Sequence, residues 1–252
     1  MTMARTVVPE ELDNLDPVDP YAIKSRSDLK RIHRAMGTCS LLTRELSTSM
    51  GRRAAQASPL RVLELGAGDG SLMLRVARSL QPKWQRVQLS LLDQANLLDA
   101  KTRAAYAAVG WTVTPQVMDV LDWARDQTAQ SAALPNGPPA WDLIVASLFL
   151  HHFEAADLQQ LLAAIAQSCS AFVACEPRRS RFALAASHCV GALGACSVTR
   201  ADAVTSVHAG FAGGELSALW PKVGDGWRLS ERTAAPFSHC FTAQRSAIAQ
   251  AD

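Results

Sequence analysis

Leu60-Arg61-Val62-Leu63-Glu64-Leu65-Gly66-Ala67-Gly68-Asp69-Gly70 is the stretch on which the fold turns. A short apolar run, Arg61 to Leu65, ends in glycines, and Leu72, Leu74, Val76, Ala77 and Leu80 then recur at helical spacing. The reading is strand, tight turn, helix. Glycines there let the backbone come close to a bound molecule, because they lack Cβ and tolerate positive φ. The amides opening the next helix point at the same place.

Outward from this unit the pattern repeats. Strands are expected at Val87 to Leu92 and Trp111 to Val117, followed by helices near Ala95 to Ala108 and Leu121 to Gln127. A strand at Trp141 to Ser147, a helix at Ala155 to Ser168 and a strand at Ala171 to Cys175 continue the alternation, which implies crossovers and a parallel sheet. Pro135, Asn136, Gly137, Pro138 and Pro139 mark a surface loop within Ser131 to Ala140. The last two strands, Trp227 to Arg232 and Ser238 to Ala243, are too close for a crossover helix and should pair antiparallel. The fold class is therefore α/β: a doubly wound, Rossmann-like sheet of seven strands, mostly parallel with the last antiparallel, plus N-terminal helices and a helical cap.

The 252 residues suit one domain, with 48% apolar and 19% charged residues. Residues 1–58 are expected to be a lead-in, flexible to Pro20, followed by a helical lid broken near Gly37. Residues 59–252 form the main domain, with a cap insertion at 176–226. A net charge of +2 without a basic cluster disfavours nucleic acid as partner. The six cysteines show neither C-x-x-C nor a disulfide framework, which fits free thiols in a reducing cytosol. No signal-like segment opens the chain, and the uncharged stretch Phe182 to Thr199 is expected to be a buried helix, not a membrane span.

A dinucleotide-binding turn wants G-x-G-x-x-G. Here the third glycine comes one residue early, at Gly70, and Ser71 stands in the place of the last. Over about Leu60 to Glu176 the sequence resembles the class I S-adenosylmethionine (SAM)-dependent methyltransferases, of the small-molecule, quinone-biosynthesis-like type. Val62 to Gly70 resembles their first motif, and the resemblance implies that Glu64, Gly66, Ala67 and Gly68 surround the methionine part of SAM. It implies that Asp93, ending Leu91-Leu92-Asp93, takes the ribose hydroxyls, a task that suits an acceptor-only carboxylate. Asp119 and Val120, in Val117-Met118-Asp119-Val120, would lie at the adenine, although Asp119 also suits a helix cap. Ser147 ends the strand that would face the transferred methyl group.

Leu150-His151-His152-Phe153 is similar to the His-His-Phe runs such enzymes carry after strand four, making His152 and His151 the catalytic candidates. A neutral histidine would help a phenolic acceptor lose its proton. The pair lacks carboxylate or thiol partners at a recognisable spacing, so no metal is expected. His33, His188, His208 and His239 read as structural, with His33 of interest on a helix that can close over the substrate. Glu176-Pro177 suits either a turn or a site. The resemblance implies a cytoplasmic enzyme, monomer or homodimer, that O-methylates a small phenolic or polyketide-like molecule with SAM as cofactor. A nicotinamide-dependent oxidoreductase and a non-catalytic SAM-binding regulatory module are the alternatives.

Overall fold

The computed structural model describes residues 3–50, 59–133, 137–222, 226–234 and 236–246. Leu134, Pro135 and Asn136 of the expected loop lie outside them. Seven strands form one sheet in the order β3-β2-β1-β4-β5-β7-β6, comprising β1 (Leu60–Leu65), β2 (Val87–Asp93), β3 (Trp111–Val117), β4 (Leu143–Ser147), β5 (Ala171–Pro177), β6 (Trp227–Ala234) and β7 (Ser238–Arg245). The first five are mutually parallel. Strand β7 runs antiparallel to both β5 and β6, as the short connection requires.

The central strands are apolar on both faces because helices cover both. Val62, Leu89, Leu91 and Val145 face one core with α2 (Thr38–Met50), α3 (Ser71–Leu80) and α4 (Ala100–Ala108). Leu63, Leu65, Ile144 and Phe172 face the other, with α5 (Val120–Ala133) and α6 (Ala155–Ser168). No described helix is long and apolar enough to cross a membrane.

Above the carboxyl ends of the strands sit α1 (Pro20–Ala35), α7 (Arg181–Ser187) and α8 (Ser197–Ala209), while α9 (Glu215–Leu219) precedes β6. Buried Asp28 of α1 accepts from Lys24 Nζ at 2.6 Å and from the backbone N–H of Cys196 at 2.8 Å, which joins α1 to the start of α8. Two expectations change here. Phe182 to Thr199 is not one buried helix: it breaks after Ser187, and Phe182 and Leu193 are exposed. Nor is the chain before Pro20 a free lead-in. Arg179 Nε donates to Met3 O at 2.8 Å, Arg5 Nε to Ala209 O at 2.8 Å, and the N–H groups of Glu11 and Leu12 to Asp202 at 2.7 and 3.1 Å. These polar anchors make the segment a strap.

Candidate active site

Strand order reverses between β1 and β4, and ligands in doubly wound sheets bind at the carboxyl ends of the strands beside such a switch. A cavity of about 830 Å³ opens there. Glu64, Gly66, Ala67, Gly68, Asp93, Ser147, His151 and His152 all line it, with α1 and the strap closing over them. Asp119 and Val120 are not among its lining residues. Instead the Asp119 carboxylate accepts from the Leu121 N–H at 2.7 Å and from Gln94 Nε2 at 2.9 Å, capping α5.

The glycine turn is built for close approach. Gly66 has φ +65°, and a Cβ there would lie 2.2 Å from the Phe149 ring, so the β1 and β4 turns can touch only through glycine. Gly68 has φ +56° with open space where its Cβ would be. Its N–H donates to Asp93 Oδ2 at 2.8 Å, which ties the turn to the end of β2. Lys30 Nζ lies 2.6 Å from Asp69, clasping α1 onto the same turn. Fully buried Tyr106 donates its hydroxyl to Gly70 O at 2.7 Å. Tyr106→Phe removes that bond, leaving Gly70 O with the Leu74 N–H at 3.0 Å alone, and is expected to cost about 1 kcal/mol, read as a lower urea midpoint in equilibrium unfolding.

Glu64 is the electrostatic anomaly of the turn. Burial, reinforced by Asp93 and Asp69, pushes its carboxyl up to about 8. Its Oε2 and the Ser147 Oγ are both buried without a hydrogen-bond partner. A carboxyl left unpartnered on a cavity wall, acceptor-only once ionised, suits the ammonium group of SAM. The glycine turn and the acidic ends of β1 and β2 thus fit that cofactor, with Glu64, Gly66, Ala67, Gly68 and Asp93 the residues that would hold it.

Across the cavity, the turn after β4 hangs on one buried carboxylate. Glu176, wholly buried on β5, accepts from the N–H groups of Phe149 at 3.1 Å and Leu150 at 3.0 Å, and its Oε2 lies 2.8 Å from His151 Nδ1. That network holds Leu148 at φ +52°, a left-handed conformation unfavourable for leucine. Glu10 of the strap meets the other side of the ring, Oε1 to Nε2 3.3 Å. Burial alone would lower the basicity of His151, but the two carboxylates outweigh it and raise the imidazole to about 9. His152 Nδ1 lies 3.2 Å from Asp13 Oδ2. His33, on the wall formed by α1, is pulled down to about 4 by burial and by Arg75, and is therefore neutral.

Glu10, Asp13 and Asp202 also line the cavity, and nothing in the sequence marked them. Their partners lie more than a hundred positions away, and no local spacing records such a pairing.

A doubly wound sheet in this order, with a glycine turn after β1 and an acidic residue ending β2, defines the class I SAM-dependent methyltransferases. The model of the family described as lysine methyltransferase matches residues 33–184, and the chain belongs to that family. No curated protein matches it. Among solved structures, a Nostoc punctiforme PCC 73102 protein provisionally named an O-methyltransferase is similar at 16% identity and a TM-score of 0.55, over 96% of this chain and 64% of that one. The CurJ carbon methyltransferase is similar at 14% identity and a TM-score of 0.52, over 93% of this chain and 62% of that one. The chain spans less than two thirds of the length of either, and the likeness is one of fold.

Proposed function

We propose that the protein transfers a methyl group from SAM to an oxygen of a small, largely apolar acceptor enclosed in the cavity, such as a phenol or a polyketide-like molecule. The carrying observation is that one cavity joins the glycine turn to an apolar chamber walled by Leu12, Leu29, Ile32, Met36, Val190 and Val207. At about 830 Å³ it sits in the upper part of the range of roughly 300–1,000 Å³ typical of small-molecule sites. The lysine side chain named in the family description would reach the methyl group from outside, where the strap and α1 now lie.

When bound, SAM supplies an electrophilic methyl carbon, whose bond to sulfur breaks, leaving its electron pair on sulfur, as the bond to the acceptor oxygen forms. The chain's own work is to orient the acceptor and keep water out. Strap, α1 and α8 enclose it; Ser147 and the His151-His152 pair present polar groups to its reacting end. His151 already carries its proton between Glu10 and Glu176, so the acceptor hydroxyl meets the pair on the His152 side.

The test is methyl transfer from radiolabelled SAM into a panel of phenols and polyketide-like compounds, run beside a protein extract. Label in a small, organic-soluble product supports the proposal; label confined to protein lysines would replace it with a protein-modifying activity.

A further inference from the structure

We infer that Glu10, His151 and His152 form a binding site for one divalent transition-metal ion on the cavity wall, with a coordination position open toward the acceptor. One ligand atom from each of the three lies within 4.8 Å of the others. The Glu10 Oε1 to His151 Nε2 distance is 3.3 Å, longer than the ~2.7–2.9 Å of a charge-assisted hydrogen bond. It matches the separation of two ligands each about 2.0–2.1 Å from one tetrahedral ion, which is about 3.3–3.4 Å. Small rotations of His152 and Glu10 would close the remaining gap.

The support behind the site is already built. His151 has its other nitrogen, Nδ1, 2.8 Å from the Glu176 carboxylate, the carboxylate-histidine-metal arrangement that fixes a ligating imidazole. Asp13 stands 3.2 Å from His152 Nδ1, as an outer partner or a fourth ligand. Glu10 is mostly buried, its side chain 11% exposed. Glu10, Asp13 and Asp202 line this end of the cavity and Glu176 lies behind His151, against the guanidinium of Arg5, which donates to the carbonyls of His151 and Phe153. A dication offsets that excess of negative charge. Two imidazoles and a carboxylate suit zinc, iron, cobalt or manganese better than calcium or magnesium.

This carboxylate could not be found from spacing, because Glu10 lies 141 positions before His151. The ion's use rests on the proposed function: ligating the acceptor hydroxyl would let it shed its proton to water and leave an oxygen lone pair for the methyl carbon. Binding of the ion does not depend on that reading.

The full chain, stripped by chelator, is titrated with cobalt(II) and followed by visible absorption, with zinc(II) as competitor. We expect one equivalent bound, with the d–d bands of a four- or five-coordinate ion. His152→Ala and Glu10→Gln should each weaken binding at least about tenfold, with thermal unfolding confirming that each variant is folded. If Glu10→Gln fails to fold, His152→Ala decides. Absence of one-to-one binding, or binding unchanged by His152→Ala, overturns the site; the latter would place the ion elsewhere, for instance on the thiols. SAM calorimetry on the same stripped protein reports separately on the methyltransferase reading.

Discussion

Glu64→Gln should make the ligand-free protein more stable while sharply weakening SAM binding. Glu64 has a folded-state carboxyl raised to about 8, against an unfolded value of about 4.3. A group raised on folding contributes fully below its unfolded value, and that contribution is lost as pH climbs toward the folded one. At pH 7 the wild type therefore gives up about 3 kcal/mol that a glutamine does not. Thermal unfolding of Glu64→Gln at pH 7 should rise by roughly 5–10 °C, and the gain should vanish near pH 4. Saturating SAM should raise the unfolding temperature of the wild type and leave the variant almost unmoved. A variant no more stable than wild type at pH 7 would show that Glu64 is solvated or partnered.

Glu176→Ala is expected to be among the most damaging single changes in the chain. It orphans the Phe149 and Leu150 N–H groups and leaves the His151 imidazolium facing only Glu10. Removing one partner of a buried ion pair costs about 3–5 kcal/mol. It also releases the restraint on Leu148, so the turn presenting the histidines should relax. Glu176→Gln keeps the size and one acceptor oxygen but loses the charge, and should fall between. Urea midpoints for the three proteins should order as wild type, glutamine, alanine, with methyl transfer falling in step. Equal midpoints would mean that the turn is held by its packing alone.

The strands themselves, the glycine turn and the reversed last strand were legible because each has a local cause. Apolar runs of strand length, a glycine triplet and a five-residue connection all act within a few positions. Helix α6 occupies Ala155–Ser168, the span its apolar spacing predicted. Where distant parts of the chain decide, as when Met3, Arg5, Glu11 and Leu12 of the strap bond to Arg179, Ala209 and Asp202, reading along it fell short. The Asp119 carboxylate takes up the helix cap that its position also suited beside the adenine contact. Phe182 to Thr199 looked like one helix by composition, yet Gly194, in left-handed backbone, divides it before α8.

The histidine pair shows the same limit inside the site. Its position after β4 was visible in the sequence; its electrostatics were not. Glu176 was read as turn or site with equal weight, and Glu10 was read only as part of a flexible lead-in. Their convergence on one imidazole makes His151 a fixed positive charge in the absence of a metal ion.

Calorimetric titration of the ligand-free protein with SAM, between pH 6 and pH 7.5 and in buffers of different ionisation enthalpy, tests the cofactor site most directly. One molecule should bind per chain with net proton release, as Glu64 ionises to meet the ammonium group. Affinity should rise roughly twentyfold across that interval. Failure of SAM and S-adenosylhomocysteine to bind, with NADH binding in their place, would contradict the reading of the glycine turn and the proposed methyl transfer with it.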